Sequence, residues 1–127
     1  MPEILWRYGR DEAAMKVWLK MTAPDYKRRE YPEVSFAAVD ALICGYMGLH
    51  ADASANAVNT RSAVEYGEWA QIMDAPLWGG SIDLKHEGKR ASELTNRTGR
   101  TIKWTAQLEN NTVTIEVAPG ETKRAEC

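Results

Sequence analysis

Of the chain's two cysteines and two histidines, Cys44 and His50 lie six positions apart, and Asp52 follows two further on. These are the residue types of a thiol nucleophile, its base and an orienting carboxylate. That chemistry needs spatial proximity, which spacing alone does not supply, so the simpler expectation is a helix-end histidine beside a loop aspartate. Glu65 and Glu68 would share one helix face at i, i+3 as an acid–base pair, but Glu65 also stands where a helix cap would use it. His86-Glu87 falls in a polar stretch with no metal-ligand spacing around it, and no HExxH, paired CxxC or EF-hand loop occurs, so no metal is expected. Gly79-Gly80 and Gly45-Tyr46-Met47-Gly48 lack the Lys-Ser/Thr of a phosphate loop and its strand–loop–helix context, so no nucleotide cofactor is expected. The two glycines of the second run are expected instead to let another element approach the helix closely or to mark its fraying end. The expectation from these absences is a protein that is not an enzyme and carries no cofactor.

The elements that would position such residues are legible from periodicity. Ile102, Trp104, Ala106 and Leu108 alternate with Lys103, Thr105, Gln107 and Glu109, and Val113, Ile115 and Val117 repeat the pattern after Asn110-Asn111. This predicts a hairpin, 101–109 with 112–118, joined by a two-residue turn that sets Leu108 opposite Val113, Ala106 opposite Ile115 and Trp104 opposite Val117. Upstream, Asp11 precedes a stripe of Met15, Trp18 and Leu19, predicting a helix over 11–21 after a break at Gly9. Val39, Leu42, Ile43, Tyr46 and Met47 predict a central helix over 33–48. Ser62-Ala63-Val64-Glu65 has capping-box spacing before Tyr66, Trp69, Ala70 and Met73, predicting a helix over 62–73. Ile82 and Leu84 alternate with charges as a strand does. Residues 50–60 read as a loop or a loose helical turn, and 86–100 as loop with a turn of helix at 91–96. The whole predicts an α+β fold in one domain, 1–127, its N-terminal helices packed on a small C-terminal antiparallel sheet.

Five Trp, five Tyr and five Met against one Phe give a core of large rings and flexible fillers. Residues 1–3 lack the basic and apolar runs of a secretion signal, and the apolar stretch 34–49 contains Asp40 and is short for a bilayer, so a cytoplasmic chain with no membrane contact is expected. Cys44 and Cys127 are expected to stay reduced there.

The net charge of −2 hides a split. Residues 30–84 hold one base, Arg61, against eight acids, whereas 85–103 hold six bases against two acids. Two binding modes follow. Glu65, Glu68, Asp74 and Asp83 could dock on a basic groove of a partner protein, with charge setting rate and selectivity. Alternatively Lys89, Arg90, Arg97 and Arg100 could grip nucleic-acid phosphates by counterion release. No aromatic interleaves that basic run, which disfavours a single-strand stacking platform. Docking on a protein partner is the expected function, with a phage or mobile-element product that blocks a host nucleic-acid machine, such as a CRISPR effector, as its specific form. A structural subunit of a phage particle, assembling through the 112–118 strand edge, is the third alternative.

Overall fold

The computed structural model describes residues 2–22 and 39–127. Two short helices come first, α1 (Pro2–Arg7) and α2 (Asp11–Thr22). The break between them is the one expected at Gly9, whose φ of +76° suits a residue without Cβ, and Arg10 N–H closes the end of α1 on the Leu5 carbonyl at 2.8 Å. The predicted central helix 33–48 falls partly outside the described residues. Its described part winds as a π-helical turn over Ala41–Tyr46, with Val39 and Ile43 exposed, so it is not packed all round. Among the described residues, no helix is long and apolar enough to cross a membrane.

The rest is mostly β: β1 (His50–Asp52), a 3₁₀ turn (Ala53–Ala55), β2 (Ala57–Arg61), β3 (Trp69–Leu77), β4 (Gly80–Glu87), β5 (Ala91–Asn96), β6 (Ile102–Gln107), β7 (Thr112–Val117) and β8 (Thr122–Glu126). They form two four-stranded sheets, β1-β2-β6-β7 and β3-β4-β5-β8, rather than the single small sheet expected. The main core contains Val58, Ile102 and Trp104 from the first sheet and Ile82, Leu84 and Leu94 from the second. The helices contribute a separate small cluster of Trp6, Ala14 and Ala41 with Ala63, and Tyr46 touches both. The main core of the described residues thus joins side chains of both sheets, and the described helices pack in a cluster of their own that Tyr46 links to it.

Several local expectations change. No helix covers 62–73: Ser62–Glu68 is loop and turn, and Trp69 onward is strand. Ser62 Oγ does accept from a nearby backbone N–H, that of Val64 at 3.1 Å, but it donates to the Gly88 carbonyl at 2.7 Å, so it stitches a loop instead of opening a helix. Strand periodicity is present in β3 on both sides of a bulge, with Ala70 and Ile72 before it and Ala75 and Leu77 after it turned towards the core. Asp74 occupies the bulge at φ +54°. Trp78 and Gly79, at φ +51° and +80°, make the two-residue turn to β4. The stretch 91–96 is a strand, not a helical turn, and 50–60 holds β1 and β2.

The hairpin's strands and faces match the prediction, but its register is displaced by two residues. Ala106 lies opposite Val113, Trp104 opposite Ile115 and Ile102 opposite Val117. Leu108 N–H bonds the Asn111 carbonyl at 2.8 Å, closing a four-residue loop in place of a two-residue turn, and neither asparagine takes positive φ. An even displacement keeps every side chain on its face, so the apolar pattern alone does not distinguish the two registers.

β2 pairs with β6 in parallel while β6 pairs with β7 antiparallel, so β6 is central and Trp104 is wholly buried, its indole N–H on Thr60 Oγ1 at 2.9 Å. Asn96, also fully buried, ties three segments. Its amide donates to the carbonyls of Arg100 (2.7 Å) and Val117 (2.9 Å), and its carbonyl accepts from Thr98 N–H and hydroxyl.

Candidate functional site

His50 and Cys44 do come together, through the main chain of Cys44. His50 Nε2 donates to the Cys44 carbonyl at 3.0 Å, while Cys44 Sγ lies 3.5 Å from Asp40 Oδ1. Asp52 accepts from the N–H and hydroxyl of Ser54, which hold its carboxyl below the usual range and cap the 3₁₀ turn. His50 Nε2 is thus engaged by a main-chain carbonyl, and the Asp52 carboxylate by Ser54. Cys44 and Cys127 are not joined in a disulfide.

His86, expected in a polar loop, is completely buried on β4. Its Nε2 lies 2.8 Å from the Met47 carbonyl and its Nδ1 2.7 Å from Ser92 Oγ. A carbonyl only accepts, so Nε2 carries the proton and Nδ1 of the neutral ring accepts from the hydroxyl. Burial pushes the imidazole below its ordinary value, with the Met47 carbonyl pulling the other way. Neutral His86 is thus a buried strut between the second sheet and residue 47.

The charges that are separate in sequence are mixed in space. Lys89 Nζ stands 2.8 Å from Asp11, which Arg61 also reaches at 3.3 Å. Arg90 pairs with Glu109 at 3.6 Å. Arg97 bridges Asp83 at 2.5 Å and Asp74 at 3.4 Å. Arg100 reaches Asn56 Oδ1 at 3.2 Å. The four bases therefore do not form one patch: Lys89–Arg90 and Arg97–Arg100 flank opposite ends of β5, about 20 Å apart at strand rise. Asp83 is mostly buried and internally employed: burial alone would raise its carboxyl, but the Asp74 N–H at 2.8 Å and Arg97 hold it below the usual range. Glu65, Glu68 and Asp74 are exposed, the first two in the loop before β3 and the third in its bulge.

That border of the second sheet holds what sequence reasoning missed. β3 is an edge strand, and beside it Tyr66 (54 % exposed), Trp69 (66 %) and Met73 (63 %) present large apolar surfaces to solvent. Arg90 lies over the Tyr66 ring at 5.3 Å and Lys85 over Trp69 at 5.5 Å. The signal was available: in strand periodicity Trp69, Gln71 and Met73 share one face opposite Ala70 and Ile72.

A second feature is a cleft of about 430 Å³ over the outer face of the first sheet. Trp6 and Arg7 of α1 and Cys44 and Gly45 of the π turn line it together with polar side chains of the strands. One cross-strand row runs His50, Asn59, Thr105, Thr114 through all four strands, and the next runs Arg61, Gln107, Thr112. Gly48, at φ +60°, lets the π-turn segment lie directly on β2, with Arg61 N–H donating to the Gly48 carbonyl at 3.2 Å. Among the described residues, no group of three or more His, Cys, Asp or Glu is placed to hold a metal ion.

No family model, curated protein or solved structure matches this chain.

Proposed function

We propose that the protein acts by docking on a partner protein rather than by chemistry, and that it docks through the open edge of β3 and the loop before it. The observation that carries this reading is the exposure of Tyr66, Trp69 and Met73 along a sheet edge that no other described strand pairs. Trp and Tyr are the side chains that most often anchor protein interfaces, and an open strand edge offers backbone N–H and C=O groups beside them. Glu65 and Glu68 flank one end of the apolar strip, and Asp74, which Arg97 partly answers, the other, so the complementary partner carries an apolar groove with basic side chains at the end that meets Glu65 and Glu68. A nucleic-acid-handling enzyme blocked at its charged groove by a phage or mobile-element inhibitor is the specific form of this proposal.

The cation-over-ring contacts of Lys85, Arg90 and, at Trp78, Arg100 favour a second reading, a single-strand nucleic-acid platform. Against it, Glu87, Glu93 and Glu126 stand with Arg124 on the same sheet, where a phosphate backbone would meet them. The test is capture from host lysate, with and without nuclease treatment, by the natural chain and by a Trp69→Ala, Met73→Ala variant of unchanged melting temperature. Proteins held by the first and lost by the second support the proposal. Identical capture, capture abolished by nuclease, or a mass that rises with concentration in light scattering through self-association at this edge overturns it.

A further inference from the structure

We propose that the cleft between α1, the π turn and the outer face of the first sheet is a binding site for a small organic anion, one bearing a carboxylate or phosphate group. Its volume of about 430 Å³ falls in the range of small-ligand pockets. Three observations give the chemical class. First, the described lining contains donors and mixed donor–acceptors, with Asn59, Thr105 and Gln107 on the floor and Arg7 and Arg61 at the wall, and no Asp or Glu, although acids outnumber bases in the chain. Second, Arg61 is not simply cancelled by its acid. Asp11 is shared between Arg61 and Lys89, so two cations and one carboxylate leave a net positive charge beside the cleft. Arg61 is fixed there by a further bond to the Trp6 carbonyl at 3.1 Å, which pre-orients the wall.

Third, Trp6 lines this cleft, is completely buried, and its indole Nε1 is the one buried side-chain nitrogen or oxygen among the described residues without a hydrogen-bond partner. The N–H has no accessible surface as it stands, so an oxyanion in the cleft accepts from it only after a small local shift of the wall, favoured because a buried N–H costs free energy until something accepts from it. The indole is held in place by an edge-to-face contact with Tyr46, at 5.7 Å between centroids. The walls belong to a π-helical turn, a form that concentrates at functional sites because its wider winding re-aims side chains and backbone. The surface lies on the first sheet and is independent of the β3 edge on the second, so either proposal can fail without the other.

The experiment is a titration of ¹⁵N-labelled full chain with citrate and with adenosine monophosphate, with uncharged adenosine as the control, at constant ionic strength in a buffer without phosphate. The Trp6 indole resonance is identified by its loss in Trp6→Phe. The expected result is a saturable shift of that resonance and of the Asn59 and Gln107 side-chain amides with at least one of the two anions, and much weaker binding of adenosine. The variant Asn59→Ala, Gln107→Ala alters only exposed floor positions and is expected to weaken binding about tenfold, as for a lost hydrogen bond to a charged group, at unchanged melting temperature. An indole resonance that stays in place with both anions, one that shifts equally with adenosine, or an affinity indifferent to the floor variant overturns the proposal.

Discussion

Replacing Gly48 by alanine probes the contact that holds the π turn against β2. Gly48 sits at φ +60°, and an added Cβ would lie 2.1 Å from the Arg61 carbonyl oxygen and 2.8 Å from Arg61 C and N. All three are main-chain atoms, so no rotamer change relieves the overlap. The left-handed conformation alone costs an L-residue about 1–2 kcal/mol. Backing the chains apart also breaks the Arg61 N–H to Gly48 carbonyl bond and strains that of Ala63 N–H to the Tyr46 carbonyl at 3.1 Å, each worth about 1 kcal/mol. The expected loss is therefore about 3–4 kcal/mol, or roughly 10 °C in melting temperature for a chain of this size. Gly120 is the matched control: its φ is +83°, yet an added Cβ there meets nothing within 4 Å. Gly120→Ala should cost only the conformational part, about 1–2 kcal/mol. Urea unfolding of both variants measures the difference. Equal losses would refute the argument that backbone contact, rather than conformation, requires glycine at 48.

Thr60→Val keeps the shape of a buried residue but leaves the Trp104 indole N–H without its acceptor; the expected cost is about 1–3 kcal/mol in urea unfolding, with Thr60→Ser much milder, and an undiminished valine variant would contradict it. Burial holds His86 below its ordinary value of 6.5, so the unfolded chain takes up a proton that the folded chain resists. The stability this gives is present in full above 6.5 and is lost as the pH falls from there through the folded-state value, at no more than about 1.4 kcal/mol per pH unit. Stability measured from about pH 8 to about pH 5.5 should fall more steeply in the natural chain than in His86→Gln, and parallel curves would remove His86 as the cause.

Where one periodicity was uninterrupted, sequence and structure agree: 101–117 alternates cleanly and forms two strands, and 11–21 keeps a helical stripe and forms α2. The error at 62–73 has a definite cause. Tyr66, Trp69, Ala70 and Met73 fit helical spacing by coincidence, and the bulge at Asp74 breaks the strand pattern that Ala70, Ile72, Ala75 and Leu77 otherwise complete. Pro76 and the Trp78-Gly79 turn were the available strand signals, since proline is tolerated on an edge strand and a two-residue turn follows. β2 offers only Val58 and Thr60 as buried side chains, too few for a periodicity to register, and its partner β6 is remote in sequence. The charge split was read correctly as composition, but folding interleaves the signs: Asp11 from one end meets Arg61 and Lys89, and Asp83 meets Arg97. The cleft draws on α1, the π turn and four strands, and no local motif announces a surface assembled from so many segments.

The parallel alliance of β2 with β6 has a consequence for synthesis. Its two members are separated by the whole β3–β5 meander, so β2 leaves the ribosome roughly forty residues before its permanent neighbour, a wait of about two to eight seconds at ordinary translation rates. Among the described strands, the three-residue β1 is the one already made that pairs with it during that interval. The second sheet's first three strands, joined by tight turns, are free to assemble meanwhile, and they leave Val58 facing a half-built interior until Trp104 arrives to seal it.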